Sequence, residues 1–169
     1  LRLVGSEMCK ETGGGLGINY DCPTCGLIPD FTSYFQTFAD FFKAQPGQQL
    51  HFELGRSLVG QCGSLISRVL YVKEGKHKKF IILDAGMNDL LRPALYQAFH
   101  RKKLDLRGEH EKYDVVGPIC ESSDCFGKDR ELPLTNRGDL IAIRSCGAYG
   151  EVMASRYNLR ELPESYFSR

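Results

Sequence analysis

The sequence has little net charge and no long apolar run. Its 22 Lys and Arg residues are balanced by 21 Asp and Glu residues, which leaves a formal net charge of +1. A chain this close to neutral has no bulk electrostatic attraction for nucleic acid or for an anionic membrane. No apolar stretch approaches the roughly 20 residues that span a bilayer, and residues 1–5 lack the layout of a signal peptide. We therefore expect a cytoplasmic protein that binds neither nucleic acid nor a membrane.

The chain also lacks a second pair of closely spaced cysteines. It has seven cysteines, and Cys22 and Cys25 form its one Cys-x-x-Cys pair. A zinc ribbon needs two such pairs, so we predict no metal site. An odd cysteine number without a secretion signal favours reduced thiols, and we interpret this pair as two free thiols in a loop.

An initial methionine is missing as well, which suggests a piece of a longer protein or a processed chain. The remaining composition is ordinary, because 42% hydrophobic and 25% charged residues are typical of a soluble globular protein. A length of 169 residues suffices for one domain or for part of a larger one.

The first third of the chain has the pattern of an α/β structure. A glycine-rich turn over residues 12–20 and a loop over residues 21–29 precede Asp30, a residue type that caps helices. Aromatic residues spaced three and four apart give the following helix one apolar face, which we interpret as core packing. These residues are Phe31, Tyr34, Phe35, Phe38, Phe41 and Phe42. A short strand at residues 50–54 completes a strand–loop–helix–strand unit.

The rest of the chain predicts short strands. Residues 69–72 and 80–83 form a hairpin, and residues 115–117 and 140–143 are further strands bounded by Gly, Pro and Asp. Residues 92–100 are the exception, a helix with Pro93 in its first turn. We expect the charged residues 101–112 to be a solvated loop.

The predicted fold class is therefore mainly β with some α. A C-terminal β-barrel or sandwich domain over residues 57–169 follows a remnant of an α/β (TIM-like) barrel over residues 1–56. Such a barrel cannot close from one strand–helix unit, which again indicates a piece of a longer protein.

Two segments contain residue types that bind anions. The glycine run 13–17 can present backbone N–H groups to a phosphate, although such runs are often only turns. Residues 53–56, Glu-Leu-Gly-Arg, end a strand with a carboxylate and a guanidinium. An arginine there suits a carboxylate ligand, and an ion pair at a strand end is the alternative.

Three later segments offer further candidates. Arg92 and Tyr96 share one helix face, and Arg92 would lie near the positive end of the helix, where a carboxylate ligand fits. A surface arginine and a tyrosine that flanks the core are the alternative. Cys120 stands beside Glu121, and a thiol can donate a proton, although an isolated pair of this kind is more often inert. Tyr149, between glycines, can either hydrogen-bond a ligand or pack in a tight turn.

Taken in order, these motifs resemble one enzyme family. They are GGGLG (13–17), ELGRS (53–57), DAGMNDLLRPALY (84–96), GPICESSD (117–124) and GAYG (147–150). Together they are similar to the diaminopimelate decarboxylase family, within the fold-type III pyridoxal-phosphate decarboxylases. The resemblance runs from about residue 13 to about residue 160. Its third and fourth motifs separate this family from the ornithine and arginine decarboxylases.

The resemblance implies a homodimer whose active site is shared across the interface. Each subunit would have an eight-stranded α/β barrel and a C-terminal β-domain. With pyridoxal 5'-phosphate, the enzyme would convert meso-2,6-diaminopimelate to L-lysine and carbon dioxide, the last step of lysine biosynthesis.

The resemblance also implies a role for each motif. Gly13, Gly14 and Gly15 would bind the cofactor phosphate, and Glu53, Gly55 and Arg56 would line the cofactor and substrate sites. Arg56, Arg92 and Tyr96 would hold the non-reacting end of the substrate. Cys120 would donate the proton and Glu121 would contact the distal amino group, both in the partner's site. Tyr149 would contact cofactor and substrate.

The sequence departs from the family pattern in three places. Only Lys10 precedes the glycine motif, and its context does not match that of the family's Schiff-base lysine. Leu54 stands where the family usually has proline, and residues 6–11 are polar where the family has an apolar strand. We therefore expect this chain alone to be inactive. The alternatives are an ornithine, arginine or carboxypolyamine decarboxylase and a non-catalytic dimerising β-domain.

Overall fold

The structure, a computed structural model, describes residues 9–12, 15–26, 29–96, 102–103 and 108–168. For residues 9–12, 96 and 102–103 it describes the backbone. Two sheets are present in this part of the chain, a parallel pair of strands and a six-stranded mixed sheet. No helix within the described ranges is both long enough and apolar enough to cross a membrane.

The parallel pair is a strand–helix–strand unit. Strand β1 (Cys9–Thr12) pairs with β2 (Gln49–Phe52) in parallel, and helix α1 (Phe31–Phe41) lies between them in the sequence. Asp30 caps the helix by accepting a 3.0 Å hydrogen bond from the Ser33 N–H. The predicted order of elements is confirmed from residue 9 onward, while the domain boundary after residue 56 stays a prediction.

The aromatic face of α1 is less buried than the sequence predicts. The rings of Phe35 and Phe38 lie edge-on against Phe52, with centroids 5.0 and 4.8 Å apart. No residue of α1 is buried, however, and Phe41 is 87% exposed. The interpretation of this face as core packing is therefore wrong within the described residues, because β2 covers only part of it.

The second sheet contains six strands in the spatial order β5-β8-β3-β4-β6-β7. The strands are β3 (Ser64–Glu74), β4 (Lys79–Leu83), β5 (Lys102–Lys103), β6 (His110–Val116), β7 (Cys125–Pro133) and β8 (Leu140–Arg144). Neighbours are antiparallel except β4 and β6, which are parallel. This curled mixed sheet with few helices confirms the predicted fold class.

Strand β3 connects the two halves of this sheet. Its first part, Ser64 to Arg68, pairs with β8, and its second part, from Val69 on, pairs with β4. A shift in register between Val69 and Tyr71 marks the bend, as a β-bulge does. The core on the inner face contains Val69, Ile81, Leu83, Leu90, Tyr113, Val115, Phe126, Leu132, Ile141 and Ile143.

Two short helices precede and follow the β3–β4 hairpin. Helix α2 (Gly55–Val59) comes directly after β2, and helix α3 (Arg92–Tyr96) follows the turn after β4. The predicted helix at residues 92–100 is confirmed over its first five residues, and residues 97–100 lie outside the described part.

The prediction of a solvated loop over residues 101–112 is wrong at residues 102–103, which form β5, and at its end. Residues 110–112 belong to β6, although their side chains are polar. The Lys79 ammonium binds the Glu111 carboxylate at 2.6 Å, because the parallel pairing of β4 with β6 brings the two strands side by side. Polar cross-strand pairs of this kind stabilise a strand without an apolar pattern.

The prediction of free thiols in the Cys-x-x-Cys loop is also wrong, because the structure joins Cys22 and Cys25 in a disulfide. A turn closed by the Cys25 N–H on the Cys22 carbonyl brings their Cα atoms to 5.2 Å, within the usual range for disulfides. The Asn19 side chain accepts from the Cys22 N–H at 2.8 Å and fixes the start of this turn.

Candidate active site

Two arginines distant in the sequence meet on one tyrosine ring. The guanidinium carbons of Arg56 and Arg92 lie 6.0 and 5.5 Å from the ring centroid of Tyr149. A Cβ added at Gly55 would lie 3.9 Å from the Tyr149 hydroxyl. The structure therefore brings together Gly55, Arg56, Arg92 and Tyr149, which the sequence offers in three separate motifs.

Close backbone packing holds Tyr149 against α2. The N–H groups of Cys146 and Gly147 donate to the carbonyls of Gly63 and Gly60 at 2.9 and 3.0 Å. A Cβ at Gly147 would collide with the Val59 carbonyl oxygen, so this approach requires glycine. The residues that precede Tyr149 are thus fixed to the turn that follows Arg56.

The backbone of Tyr149 is itself in the left-handed region, with φ of 67°. For a bulky residue this conformation is uncommon and costs on the order of 1–3 kcal/mol. It persists only where surrounding contacts hold it, as the glycine packing does here. The ring remains 42% exposed, so a ligand can reach it.

The two arginines form an anion-binding arrangement. Arg92 is only 7% exposed, and the Nε of Arg56 is buried without a hydrogen-bond partner among the described residues. Two guanidinium groups beside one hydroxyl-bearing ring can bind a carboxylate in a bidentate manner. Tyr96 belongs to the same helix as Arg92, but its side chain lies outside the described part, so its predicted role stays a prediction.

The remaining described residues of the glycine and Glu-Leu-Gly-Arg motifs differ in burial. Glu53 is exposed directly after β2. Leu54, in the place of the family's proline, is buried, and its carbonyl accepts from the Ser57 hydroxyl at 2.7 Å. Gly15 has φ of 120°, and a Cβ there would meet no described atom within 4 Å. Gly13 and Gly14 lie outside the described residues.

Cys120 and Glu121 lie on an exposed loop between β6 and β7. A buried carboxylate, Asp124, stabilises this loop, since it accepts from the N–H of Ile119 at 2.6 Å and from that of Met87 at 2.7 Å. Burial raises the pKa of Asp124 above its ordinary value, although these two N–H groups oppose the shift. Asp124 thus joins the loop to the turn that follows β4.

A residue that the sequence analysis missed holds Glu121. The hydroxyl of Tyr157 donates to Oε1 of Glu121 at 2.6 Å. This hydrogen bond and the negative charge of Glu121 raise the pKa of Tyr157, and Cys120 adds a smaller effect. No sequence signal indicates the contact, because the two residues are 36 positions apart and Tyr157 lies in a 3-10 helix of only three residues.

Other concave and polar regions give no better candidate. A cavity of about 410 Å³ lies beside the β3–β4 turn and contains none of the predicted site residues. Its charged groups pair with one another, as Lys78 does with Asp114 at 3.0 Å. Within the described ranges, no three His, Cys, Asp or Glu residues are placed to hold a metal ion.

Comparison with known families identifies the sheet. Residues 18–147 match the family described as pyridoxal-dependent decarboxylase, C-terminal sheet domain. The chain belongs to this family. Membership in the pyridoxal-dependent decarboxylases confirms the predicted resemblance and gives pyridoxal phosphate as the cofactor.

Several relatives of this chain are diaminopimelate decarboxylases. The enzyme of Bacteroides thetaiotaomicron is 65% identical over 160 residues, which cover 94% of this chain and 41% of that enzyme. The enzyme of Vibrio cholerae is 46% identical over 153 residues, covering 89% of this chain and 36% of the relative. The chain thus spans about two fifths of the length of the curated relatives it matches.

Solved structures agree with this assignment to the decarboxylase family. Diaminopimelate decarboxylase from Helicobacter pylori, complexed with L-lysine, superposes with a TM-score of 0.76 at 43% identity, covering 91% of this chain and 38% of that one. A lysine decarboxylase from Selenomonas ruminantium superposes with a TM-score of 0.75 at 22% identity, covering 92% and 40%. The second likeness shows the fold alone.

Proposed function

We propose that this sheet domain is part of an enzyme that decarboxylates meso-2,6-diaminopimelate to L-lysine and carbon dioxide, the last step of lysine biosynthesis. The observation that supports it best is the convergence of Arg56 and Arg92 on the ring of Tyr149. Two guanidinium groups suit a substrate that has a second carboxylate. The relatives from Bacteroides thetaiotaomicron and Vibrio cholerae also support the proposal, since both are diaminopimelate decarboxylases.

The residues present fit pyridoxal phosphate. Gly15 adopts a conformation that favours glycine, and a Cβ there would meet no described atom, so its backbone is open to a phosphate. The Tyr149 hydroxyl lies beside Gly55, 3.9 Å from the position of a Cβ there, and Tyr149 is 42% exposed, so this hydroxyl can contact a bound ligand. When bound, the cofactor supplies the electron sink for the carbanion that remains once carbon dioxide leaves.

The protein side chains then orient the substrate and supply a proton. Arg56 and Arg92 hold the distal carboxylate, while the carboxylate that will leave is kept at the cofactor. Cys120 holds a proton at Sγ and gives it to the substrate carbon after decarboxylation. Glu121 pairs with the distal ammonium. A substrate without the distal carboxylate would gain nothing from the two guanidinium groups, which disfavours ornithine and arginine.

The exposed loop between β6 and β7 supports a shared active site. Cys120 and Glu121 project from a loop whose base is fixed by Asp124, so they can enter a neighbouring subunit without disturbing their own sheet. We therefore include a cytoplasmic homodimer in the proposal, with these two residues in the partner's site. The chain alone would be inactive, because Lys10 has no context suited to holding the cofactor.

Substrate assays on the full-length enzyme test the proposal. We expect equal amounts of lysine and carbon dioxide from meso-diaminopimelate, and little turnover of ornithine, arginine or carboxynorspermidine at equal concentration. Preferred turnover of one of the latter would contradict the assigned substrate. No turnover of any of them by the cofactor-loaded dimer would favour a non-catalytic domain.

A second assay tests the inactivity of this chain. Purified and mixed with pyridoxal phosphate, it should form no lysine and no cofactor absorbance band that borohydride abolishes. Addition of the upstream barrel half should restore lysine formation. Activity of the chain by itself would show that one of its own lysines serves.

A further inference from the structure

Residues 155–160, which we call the C-terminal strap, are fixed to the turn between β4 and α3 at both ends. At the start, the Ser155 N–H donates to the Asn88 carbonyl at 2.9 Å, and the Asn88 side-chain amide donates back to the Ser155 carbonyl at 3.4 Å. At the end, the Arg160 guanidinium donates to the Asp84 carbonyl and lies 3.8 Å from the Asp89 carboxylate. The strap, which contains the short 3-10 helix Tyr157–Leu159, is therefore held at both ends.

The middle of the strap reverses direction in an unusual conformation. Asn158 and Leu159 have φ of 56° and 57°, both in the left-handed region. Asparagine tolerates this region, whereas leucine is strained there. The Leu159 side chain is 98% exposed, so packing of this side chain does not offset the backbone strain. The reversal instead allows Tyr157 and Arg160 to reach two different loops.

Tyr157 is the residue of the strap that reaches the predicted site. Its hydroxyl binds Oε1 of Glu121 at 2.6 Å, a short distance of the kind seen for hydrogen bonds to an ionised carboxylate. An exposed glutamate otherwise samples several rotamers, and ordering it costs conformational free energy. Both partners are anchored, Tyr157 by the strap and Glu121 by the loop on Asp124. The hydrogen bond from Tyr157 uses Oε1 of Glu121, so Oε2 takes no part in this bond.

We propose that Tyr157 is a positioning residue, which holds the Glu121 carboxylate in one orientation so that it meets the distal ammonium of the substrate. The inference rests on the proposed function, in which Glu121 makes that contact. Tyr157 itself touches neither cofactor nor substrate. Preorganisation of this kind lowers the free energy of substrate binding without changing the chemical step.

The test is the Tyr157→Phe variant in the full-length holoenzyme. Because a hydrogen bond to a charged group stabilises its acceptor substantially, we expect KM for meso-diaminopimelate to rise by about tenfold. The value of kcat should change by less than about twofold, because the proton donor is untouched. The phenylalanine ring keeps the packing of a side chain that is 47% exposed, so an equal thermal midpoint is expected.

Tyr166→Phe is the matched control. The Tyr166 hydroxyl also donates to a carboxylate, that of Glu164, and Tyr166 is 84% exposed in the same C-terminal segment. Its removal should leave KM and kcat unchanged. An equal rise of KM in both variants would overturn the proposal, because it would indicate a general effect of the segment.

A double-mutant cycle separates positioning from mere structural support. Glu121→Gln should raise KM, and Tyr157→Phe added to it should raise KM no further, because the residue it orients is already altered. Additive effects of the two substitutions on KM would overturn the role of Tyr157. So would a wild-type KM in Tyr157→Phe while Glu121→Gln raises KM. In both cases the proposed role of Glu121 would stand. An unchanged KM in Glu121→Gln would overturn the proposed role of Glu121 as well.

Discussion

The guanidinium of Arg92 lies over the ring of Tyr149, with 5.5 Å between Cζ and the ring centroid. Arg92 comes from the short helix after the β3–β4 hairpin, whereas Tyr149 follows the last strand of the sheet. Arg56 approaches the same ring from the segment that leaves the parallel strand pair. The curled sheet thus brings three chain segments to one anion-binding point.

Arg92→Lys in the full-length enzyme should weaken substrate binding. Lysine keeps the charge but loses the planar fork that binds a carboxylate through two hydrogen bonds. We expect KM for meso-diaminopimelate to rise by roughly 10- to 100-fold, the range for one lost hydrogen bond to a charged group. Arg137→Lys is the control, because Arg137 lies over Tyr71 at 5.0 Å and is not a predicted site residue. Equal KM values in the two variants would contradict the role of Arg92.

Cys120→Ser should reduce kcat rather than raise KM. A serine hydroxyl is a much weaker acid than a thiol, so the proton after decarboxylation would come slowly, with a loss of about 10²- to 10⁴-fold. Cys120 is exposed, so the exchange should leave the thermal midpoint unchanged. Ser122→Ala alters an exposed neighbour in the same loop and should keep full activity. A kcat within twofold of wild type would exclude Cys120 as the proton donor.

The sequence predicts those parts of the fold that follow local rules. The strands at residues 69–72, 80–83 and 140–143 are apolar on the face that enters the core, so their periodicity identifies them. Asp30 predicts its helix because a cap acts within one turn. Strand β7 (Cys125–Pro133) was not predicted, because its middle residues are charged and its partner β6 is also polar.

The site could be predicted only one motif at a time. From the sequence, Arg56, Arg92 and Tyr149 could each have a purely structural role instead of a ligand-binding one. Their contact depends on packing between segments that are far apart in the chain, which local sequence patterns do not predict. The Gly147 contact with α2 and the Tyr157–Glu121 bond depend in the same way on segments far apart in the chain. The order of the motifs, which resembles one family, supplied what the individual residues could not.

Gly147→Ala should destabilise the fold and remove activity. The added methyl group would collide with the Val59 carbonyl and lie 2.7 Å from the Cys62 sulfur. Separating α2 from the segment before Tyr149 should cost about 2–4 kcal/mol, at the upper end of overpacking effects. The free energy of unfolding from urea titration measures this.

Gly138→Ala is the matched control for that variant. Gly138 has φ of 95°, yet a Cβ there would meet no described atom within 4 Å. Only the backbone strain of about 1 kcal/mol remains. A loss in Gly147→Ala no larger than in Gly138→Ala would show that the close approach is not needed.

Asp124→Asn should reveal a pH-dependent term in stability. Burial raises the pKa of Asp124 above that of an ordinary aspartate, so the folded state keeps this proton at pH values where the unfolded chain has lost it. The contribution of the carboxyl is therefore fully present below the unfolded pKa and is lost as pH rises through the folded pKa. We expect the stability of the wild type, relative to Asp124→Asn, to fall as pH rises above the ordinary pKa of an aspartate.

Asp30→Asn gives the opposite sign and serves as the internal control. Hydrogen bonding from Ser33 lowers the pKa of Asp30, so its contribution is present above the unfolded pKa and is lost as pH falls. Urea titrations of the two variants and the wild type at pH 3, 5 and 7, at one protein concentration, isolate the contribution of each carboxyl, because the other carboxylates are common to all three proteins. A difference for Asp124→Asn that stays constant with pH would mean that Asp124 has the same pKa in both states, and one that grows in favour of the wild type with rising pH would mean a lowered folded-state pKa. Either result would contradict a carboxyl that is harder to ionise in the folded state.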